Sequence, residues 1–381
     1  MKTKIVTVIG ARPQIIKSSA ISRAIRNKYH DKLEEVIVHT GQHYDDNMSQ
    51  VFFVELNIPS PKYNLKIGSA SHAVQTAEMM KGLEDVFKKE QPQAVILYGD
   101  TNSTLAGATV ASKMDIPVVH VESGLRSYNK AMPEEINRIV SDHLSTLLFT
   151  PTELGVANLK KEGFNLENNA PYNIDNPKVH YCGDVMYDNS LHFAELAMKK
   201  ETVLTDYNLV EGTFILCTLH RPANTDSPER LANMLEALVH ISTKGKEVIV
   251  PLHPRTRKFI NETLDKKLLD EIENTDTIKL IDPVSFLNIT ALEQKCAFII
   301  TDSGGLQKEA YFFQKPSIIL RAETEWMEIV ANGNATLVDA DKQRIIEAAY
   351  TYLNGVEMEF PNFYGNGKAA EFICDQLIAL A

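Results

Sequence analysis

Cysteine and tryptophan are scarce in this chain, and long apolar runs are missing. Four cysteines and one tryptophan occur in 381 residues. Cys182, Cys217, Cys296 and Cys374 are scattered, with no C-x-x-C pair and no histidine at ligand spacing. Neither a zinc site nor a disulfide framework is indicated, and reduced thiols in the cytosol are the expectation. No apolar stretch approaches the ~20 residues that a membrane-crossing helix needs. Residues 1–30 carry no apolar segment followed by a small-residue cleavage site, so the reading begins directly in a folded, cytoplasmic domain with no membrane partner. Basic residues are the minority: 39 Lys and Arg against 50 Asp and Glu give a net charge of -11. That balance excludes a sequence-independent grip on nucleic acid, which needs a basic face to displace counterions, but it leaves room for a local phosphate pocket. A P-loop is absent. The only G-x-G-x-x-A match, Gly365 to Ala370, follows no strand pattern, so a nicotinamide cofactor is not supported and no cofactor is expected. No repeat or low-complexity segment interrupts the chain.

What is present is a globular composition, 44% hydrophobic and 23% charged, at a length suited to two domains. Short apolar runs read as strands at Lys4–Ile9, Glu35–His39, Ala94–Tyr98, Val118–Val121 and Leu147–Thr150. Helical patterns fall between them at Ser71–Lys89, Thr104–Lys113 and Glu134–Leu144. A polar stretch rich in Asn and Pro, Asn165 to Pro177, breaks the periodicity. The alternation then restarts with strands at Phe214–Leu219, Val248–Leu252, Ile278–Ile281, Phe298–Thr301 and Ser317–Leu320, separated by helices such as Pro228–Ser242 and Leu306–Phe313. The expected fold is α/β, with two Rossmann-like, doubly wound domains in tandem and their strand ends facing a cleft. The domains are placed at residues 1–175 and 176–365, followed by an amphipathic C-terminal helix in 366–381 that packs back on one of them.

In open parallel sheets ligands bind beyond the carboxyl ends of the strands. Those positions are rich in polar chemistry here. Asp302-Ser303-Gly304-Gly305 follows a strand and opens a helix carrying Gln307 and Glu309. Paired glycines at a helix N-terminus let backbone N–H groups approach an anion, although Ser303 as an ordinary N-cap explains the same letters. Arg12 and Lys17 flank the first strand-to-helix turn, and His220 and Arg221 hold the corresponding place in the second domain. Together they suit a diphosphate, while each alone reads as a surface charge. His253-Pro254-Arg255-Thr256-Arg257 adds a further basic cluster, with Arg257 readable as a first-turn helical residue. Acidic residues end other strands: Asp100 in Gly99-Asp100-Thr101-Asn102 and Glu122 in Val121-Glu122-Ser123-Gly124. Glu134 and Glu135 follow Pro133 at a helix start, where carboxylates are stabilising anyway and where Glu134 and Arg138 have the spacing of a helical ion pair. Carboxylates gathered beside cations can have their pKa values driven apart, supplying an acid and a base.

Several of these motifs, in order along nearly the whole chain, resemble the non-hydrolysing UDP-N-acetylglucosamine 2-epimerase family. They are Gly10-x-Arg12-Pro13-x-x-x-Lys17, Thr40-Gly41-Gln42-His43, Gly99-Asp100-Thr101, His120-Val121-Glu122-x-Gly124-Leu125-Arg126, Pro133-Glu134-Glu135-x-Asn137-Arg138, Leu219-His220-Arg221, Ile281-Asp282-Pro283 and Asp302-Ser303-Gly304-Gly305-x-Gln307-x-Glu309. The resemblance implies the two-domain GT-B architecture, a homodimer, and a UDP-linked N-acetylhexosamine as substrate. It implies that Arg12, His220, Ser303, Gly304, Gly305 and Glu309 hold UDP, with Phe286 near the uracil and Arg138 and His253 among the binding residues. Lys17, Asp100, Glu122 and Glu134 face the sugar, and with His220 they form the catalytic set.

The hydrogen on carbon 2 of such a sugar is not next to a carbonyl, so direct removal gives an unstabilised carbanion. The remaining route eliminates UDP to a 2-acetamidoglycal and returns it with a proton delivered to the opposite face. Asp100 and Glu134 read as the base and acid pair, and Glu122 as a positioning group or third acid–base group. Gln14 departs from the Glu often found in Arg-Pro-Glu. His220-Arg221-Pro222-Ala223-Asn224-Thr225-Asp226, with Gly183-Asp184-Val185-Met186 and Gln307-Lys308-Glu309, looks like the branch acting on UDP-2,3-diacetamido-2,3-dideoxyglucuronate, while the main reading is the parent conversion of UDP-N-acetylglucosamine to UDP-N-acetylmannosamine. Tyr44-Asp45 departs from enzymes in which substrate also activates. A GT-B glycosyltransferase is the competing reading from another class; it needs an acceptor and releases UDP.

Overall fold

Residues 2–41, 58–200, 202–244 and 246–380 are described by the structure, a computed structural model. Gln42, His43, Tyr44 and Asp45 lie outside the described residues. The first sheet is built from β1 (Thr3–Ile9), β2 (Leu33–His39), β3 (Tyr63–Asn64), β4 (Ala94–Tyr98), β5 (Val118–Val121), β6 (Leu147–Thr150) and β7 (Lys178–Tyr181). Its strands lie in the order β3-β2-β1-β4-β5-β6-β7, and every neighbouring pair is parallel. The central strands are apolar on both faces: Ile5, Val6 and every residue of Ala94–Tyr98 are buried. Only a sheet covered by helices on both sides can accommodate that.

The second sheet repeats the plan with β8 (Phe214–Thr218), β9 (Glu247–Pro251), β10 (Ile278–Ile281), β11 (Ile299–Thr301), β12 (Ser317–Ile319) and β13 (Ala335–Leu337). Its order is β10-β9-β8-β11-β12-β13, again parallel throughout. In both sheets the winding direction reverses beside the first strand, between β1 and β4 and between β8 and β11. The loops leaving those strands part to opposite faces there and open a crevice, the usual ligand position in this topology.

The chain divides into one unit of Met1–Asn189 with Asn362–Ala381 and a second of Ser190–Pro361. The boundary drawn from the polar stretch at residue 175 moves to 189, because β7 after that stretch pairs with β6 through Leu147↔Lys178 to Thr150↔Tyr181. The second unit likewise ends at Pro361 instead of residue 365. Among the described residues no helix is long and apolar enough to cross a membrane.

Helix Ala369–Leu380 belongs to the first unit and packs on helix Arg12–Ala24. Its N-terminus is capped by Asp188, which accepts from Ala369 N at 3.1 Å and Ala370 N at 2.8 Å. Burial raises the Asp188 carboxyl from 3.8 to about 6, against the two backbone N–H groups; Asp184 pushes the same way as burial and Arg23 opposes it. Between those two values the folded chain binds more protons than the unfolded one, so stability falls as pH rises through that window and is flat above it. The expected loss is up to about 3 kcal/mol. Denaturant midpoints measured from pH 4 to pH 7 should fall less steeply in Asp188→Asn than in the wild type, by the Asp188 share of the slope; an unchanged slope in the variant would refute the assignment.

Candidate active site

The crevice of the first sheet is organised by a buried amide. Gln14, on the first turn of helix Arg12–Ala24, accepts from Gly10 N at 2.8 Å and Ala11 N at 3.1 Å. Its nitrogen donates to the Tyr98 carbonyl at 2.9 Å and to Thr104 Oγ1 at 3.0 Å. One side chain thus joins the loop after β1 to the end of β4. An ionised glutamate could not donate to that carbonyl, which gives the departure at this position a local physical reason.

Around this joint the polar strand ends converge. Lys17, one turn further along the helix, forms an ion pair with Glu122 Oε2. Gly99 adopts φ +59, and a Cβ there would lie 3.2 Å from Lys17 Nζ and 3.5 Å from Glu122 Oε2, so the turn lies directly against the pair. Asp100, next in the chain, binds Arg138 through Oδ2 at 2.5 Å. Burial raises the Asp100 carboxyl above its ordinary value. The charges of Arg138 and Lys17 oppose that shift, while those of Glu122 and Glu134 reinforce it. Asp100, Glu122, Glu134, Lys17 and Arg138 therefore form one electrostatic group. Glu122 itself sits at φ 71, a left-handed conformation that costs energy for a residue with a Cβ and that clusters at functional sites. It is held there by two bonds of 3.0 Å from the Glu122 and Ser123 N–H groups to Phe149 O.

Helix Pro133–His143 separates two adjacent glutamates. Glu134 is exposed. Glu135 is buried and accepts from Ser127 N at 2.9 Å, Tyr128 N at 2.8 Å and Arg138 Nε at 3.1 Å. Burial raises its carboxyl, but those donors outweigh burial and hold it below the ordinary range. The helical pair expected between Glu134 and Arg138 is replaced by Arg138 bonds to Asp100 and Glu135, because the guanidinium turns inward. Arg138 is buried within this acidic group.

The second crevice is tied together by Asp302, which is fully buried. Its carboxylate accepts from Arg221 N at 3.0 Å, His220 N at 3.2 Å and Asn224 Nδ2 at 3.1 Å, joining β11 to the turn after β8. The His220 ring is half exposed, with Nδ1 at 3.2 Å from Asp302 Oδ1. Ser303 caps helix Gly304–Phe312, its Oγ accepting from Leu306 N. A Cβ on Gly304 would meet Arg221 Nη2 and Arg321 Nη1 at 3.7 Å each, so two guanidinium groups stand over a glycine-opened helix N-terminus. That arrangement is built for an anion. Glu325 braces Arg321 with two bonds, of 2.9 and 3.0 Å. Burial raises the Glu325 carboxyl, but Arg321 and, more weakly, Arg221 hold it below its usual range. Trp326 Nε1 donates to Gly304 O at 2.9 Å.

Other expected residues occupy distinct places. Arg12 is exposed at the start of its helix and Gly305 is exposed in the first turn of helix Gly304–Phe312. Glu309 lies one turn into helix Gly304–Phe312 and acts electrostatically on Glu293, whose buried carboxyl is raised well above its usual value by burial first and by Glu309 second. Phe286 opens helix Phe286–Lys295 and meets Phe193 edge-on at 5.0 Å. His253 caps helix Pro254–Thr263, accepting from Arg255 N at 3.2 Å. Arg257 is in that helix and bonds Leu280 O. Arg321 was missed, although it lies two residues past β12 and inspection of every strand end would have found it.

A family model described as UDP-N-acetylglucosamine 2-epimerase matches residues 25–378. The UDP-2,3-diacetamido-2,3-dideoxy-D-glucuronate 2-epimerase of Pseudomonas aeruginosa is 46% identical over 99% of this chain and 100% of its own length. The crystal structure of the Methanocaldococcus jannaschii UDP-GlcNAc 2-epimerase, in complex with UDP-GlcNAc and UDP, is 41% identical, covers 99% of both chains and superposes with a TM-score of 0.80. A Phytolacca americana structure complexed with UDP-2-fluoro-glucose and pterostilbene reaches a TM-score of 0.62 over 99% of each chain at 13% identity, a likeness of fold alone.

Proposed function

The chain belongs to the UDP-N-acetylglucosamine 2-epimerase family, and on that premise we propose that it converts UDP-N-acetylglucosamine to UDP-N-acetylmannosamine by eliminating and re-adding UDP. It is an isomerase. The observation that supports the route best is the group of Asp100, Glu122 and Glu134 with Lys17 and Arg138 at the switch point of the first sheet. In the forward step the bond from carbon 1 to the UDP oxygen breaks as a carboxylate takes the proton from carbon 2, leaving a double bond between the two carbons. UDP then returns to carbon 1 and a proton reaches carbon 2 from the other face. The step balances without an added oxidant or metal.

Asp100 is the base and Glu134 the acid in this reading, with Glu122 positioned by Lys17 as a third group. Burial, which raises Asp100, makes it a stronger base once ionised. The Ser303-Gly304-Gly305 turn, with Arg221, Arg321 and His220, takes the diphosphate of departing UDP. Arg12, Glu309, His253 and Phe286 complete the nucleotide contacts. Arg138 sets the charge around Asp100. The reading includes a homodimer serving surface polysaccharide synthesis in the cytoplasm, a compartment that suits four free thiols.

A second substrate is favoured by a specific observation: the 46% identity to the diacetamidoglucuronate enzyme. Incubation with each UDP-sugar separately in deuterated water, followed by proton NMR, decides between them. The substrate is the sugar that yields a manno epimer carrying deuterium at carbon 2. Absence of exchange with both, together with measurable UDP binding, would reject epimerisation in favour of transfer to an acceptor.

A further inference from the structure

Behind the carboxylates lies a polar chain to which the proposed route gives no task. His120, on β5, is completely buried. Its Nε2 is 2.7 Å from the carbonyl of Gly99, which can only accept, and its Nδ1 is 2.6 Å from Asp142 Oδ1. The other oxygen of Asp142 accepts from Gly124 N at 3.0 Å and from Arg126 Nη1 at 2.7 Å. Arg126 in turn makes two bonds of 2.7 Å to Glu162. The Asp142 carboxyl is raised by burial but lowered more by His120 and Arg126, so it is held as a carboxylate.

This is an expensive way to fill a core. Burying charged groups costs solvation that an apolar side chain of similar volume avoids, so such networks are weak devices for stability. What the network does is geometric. His120 grips the peptide leading into Asp100, and Asp142 grips the N–H of Gly124, two residues past Glu122. The loops after β4 and β5 are thereby clamped to one buried pair.

We propose that His120 and Asp142 are positioning residues that set the separation of the Asp100 and Glu122 carboxyl groups; the proposal rests on the epimerase reading for its catalytic consequence. The clamp runs through Nε2 to Gly99, which makes it separable from His120 as filler. Asparagine places an amide nitrogen near the position of Nδ1 and falls short of Gly99. Glutamine places one near Nε2 and restores that bond, giving up the Nδ1 contact to Asp142, which still holds Gly124 N and Arg126.

His120→Asn is expected to lower kcat about a hundredfold, the scale of an ångström's misplacement at a reacting centre, with KM and UDP affinity within about twofold. His120→Gln should recover kcat to within about fivefold of wild type. Equal activity in the two variants, whether both near wild type or both reduced in step with lost stability, would overturn the proposal. Crystal structures of both give a readout independent of turnover: the Gly99–Asp100 peptide should shift in the asparagine variant alone. If the wild-type protein epimerises neither sugar, the reaction assignment fails, while this displacement still decides whether the clamp exists.

Discussion

Asp100→Asn is expected to lower epimerisation by about three orders of magnitude, within the range that a positioned acid or base contributes. Asparagine keeps the size of the side chain and an oxygen for Arg138, which Asp100 now binds at 2.5 Å. It loses the negative charge and, with it, the capacity to take a proton. Carbon 2 should therefore stop exchanging with deuterated water as well as stop inverting, because both need the same proton removal. UDP affinity should stay within about threefold, since the anion turn is built from other residues. The single tryptophan, Trp326, makes that measurable by intrinsic fluorescence, as its indole bonds the Gly304 carbonyl of the turn. The neighbouring glutamates supply the control. Glu134→Gln should also remove turnover while leaving the fold intact, because Glu134 is exposed. Glu135→Gln should instead weaken stability, because Glu135 holds the Ser127 and Tyr128 N–H groups. Turnover of Asp100→Asn within tenfold of wild type would remove Asp100 from the mechanism.

The two glutamates also show where sequence stops being informative. Both sheets were legible because β1, β4, β8 and β11 are short apolar runs separated by helical patterns, and the residues after them are fixed by chain connectivity. Asp100, Glu122, His220 and Ser303 could be picked out for that reason. Strands β3, β7 and β13 were not, being two to four residues long with mixed polarity at the sheet margins. Helix Pro133–His143 inverts the usual pattern: Glu135, Arg138 and Asp142 recur on its buried side while Ile136 is 47% exposed. Amphipathic spacing puts apolar residues inward, so it points the wrong way here, and only the acceptors and donors across the crevice explain the phase. Arg138 illustrates the same limit. A partner four residues away is the local expectation, and the partners found are Glu135, three residues away, and Asp100, 38 residues away, because the guanidinium turns inward to a half-buried carboxylate. The first unit's extent was misplaced for a related reason, since an edge strand announces itself by pairing, not by composition.

Asp302→Ala should be the most damaging single change in the second unit. The carboxylate is fully buried and accepts from two backbone N–H groups and one amide, at 3.0 to 3.2 Å. Alanine leaves those donors with no acceptor in a place that water enters poorly, a penalty of about 1–3 kcal/mol for each group fully stranded. Taking one such group as fully stranded and the others as partly rehydrated gives about 3 kcal/mol. For a unit of this size that corresponds to a fall of roughly 6–12 °C in melting temperature. The functional loss should follow from the same bonds. His220 and Arg221 owe their positions to Asp302, and Arg221 is one of the two guanidinium groups over Gly304. UDP affinity, read by Trp326 fluorescence, should therefore drop at least about tenfold, the equivalent of one charge-assisted contact at about 1.4 kcal/mol. Asp302→Asn, which retains one acceptor, should fall between the two in both measurements. An alanine variant that melts within 2 °C of wild type and binds UDP normally would mean that the turn after β8 holds itself, and that the buried carboxylate serves neither the fold nor the nucleotide.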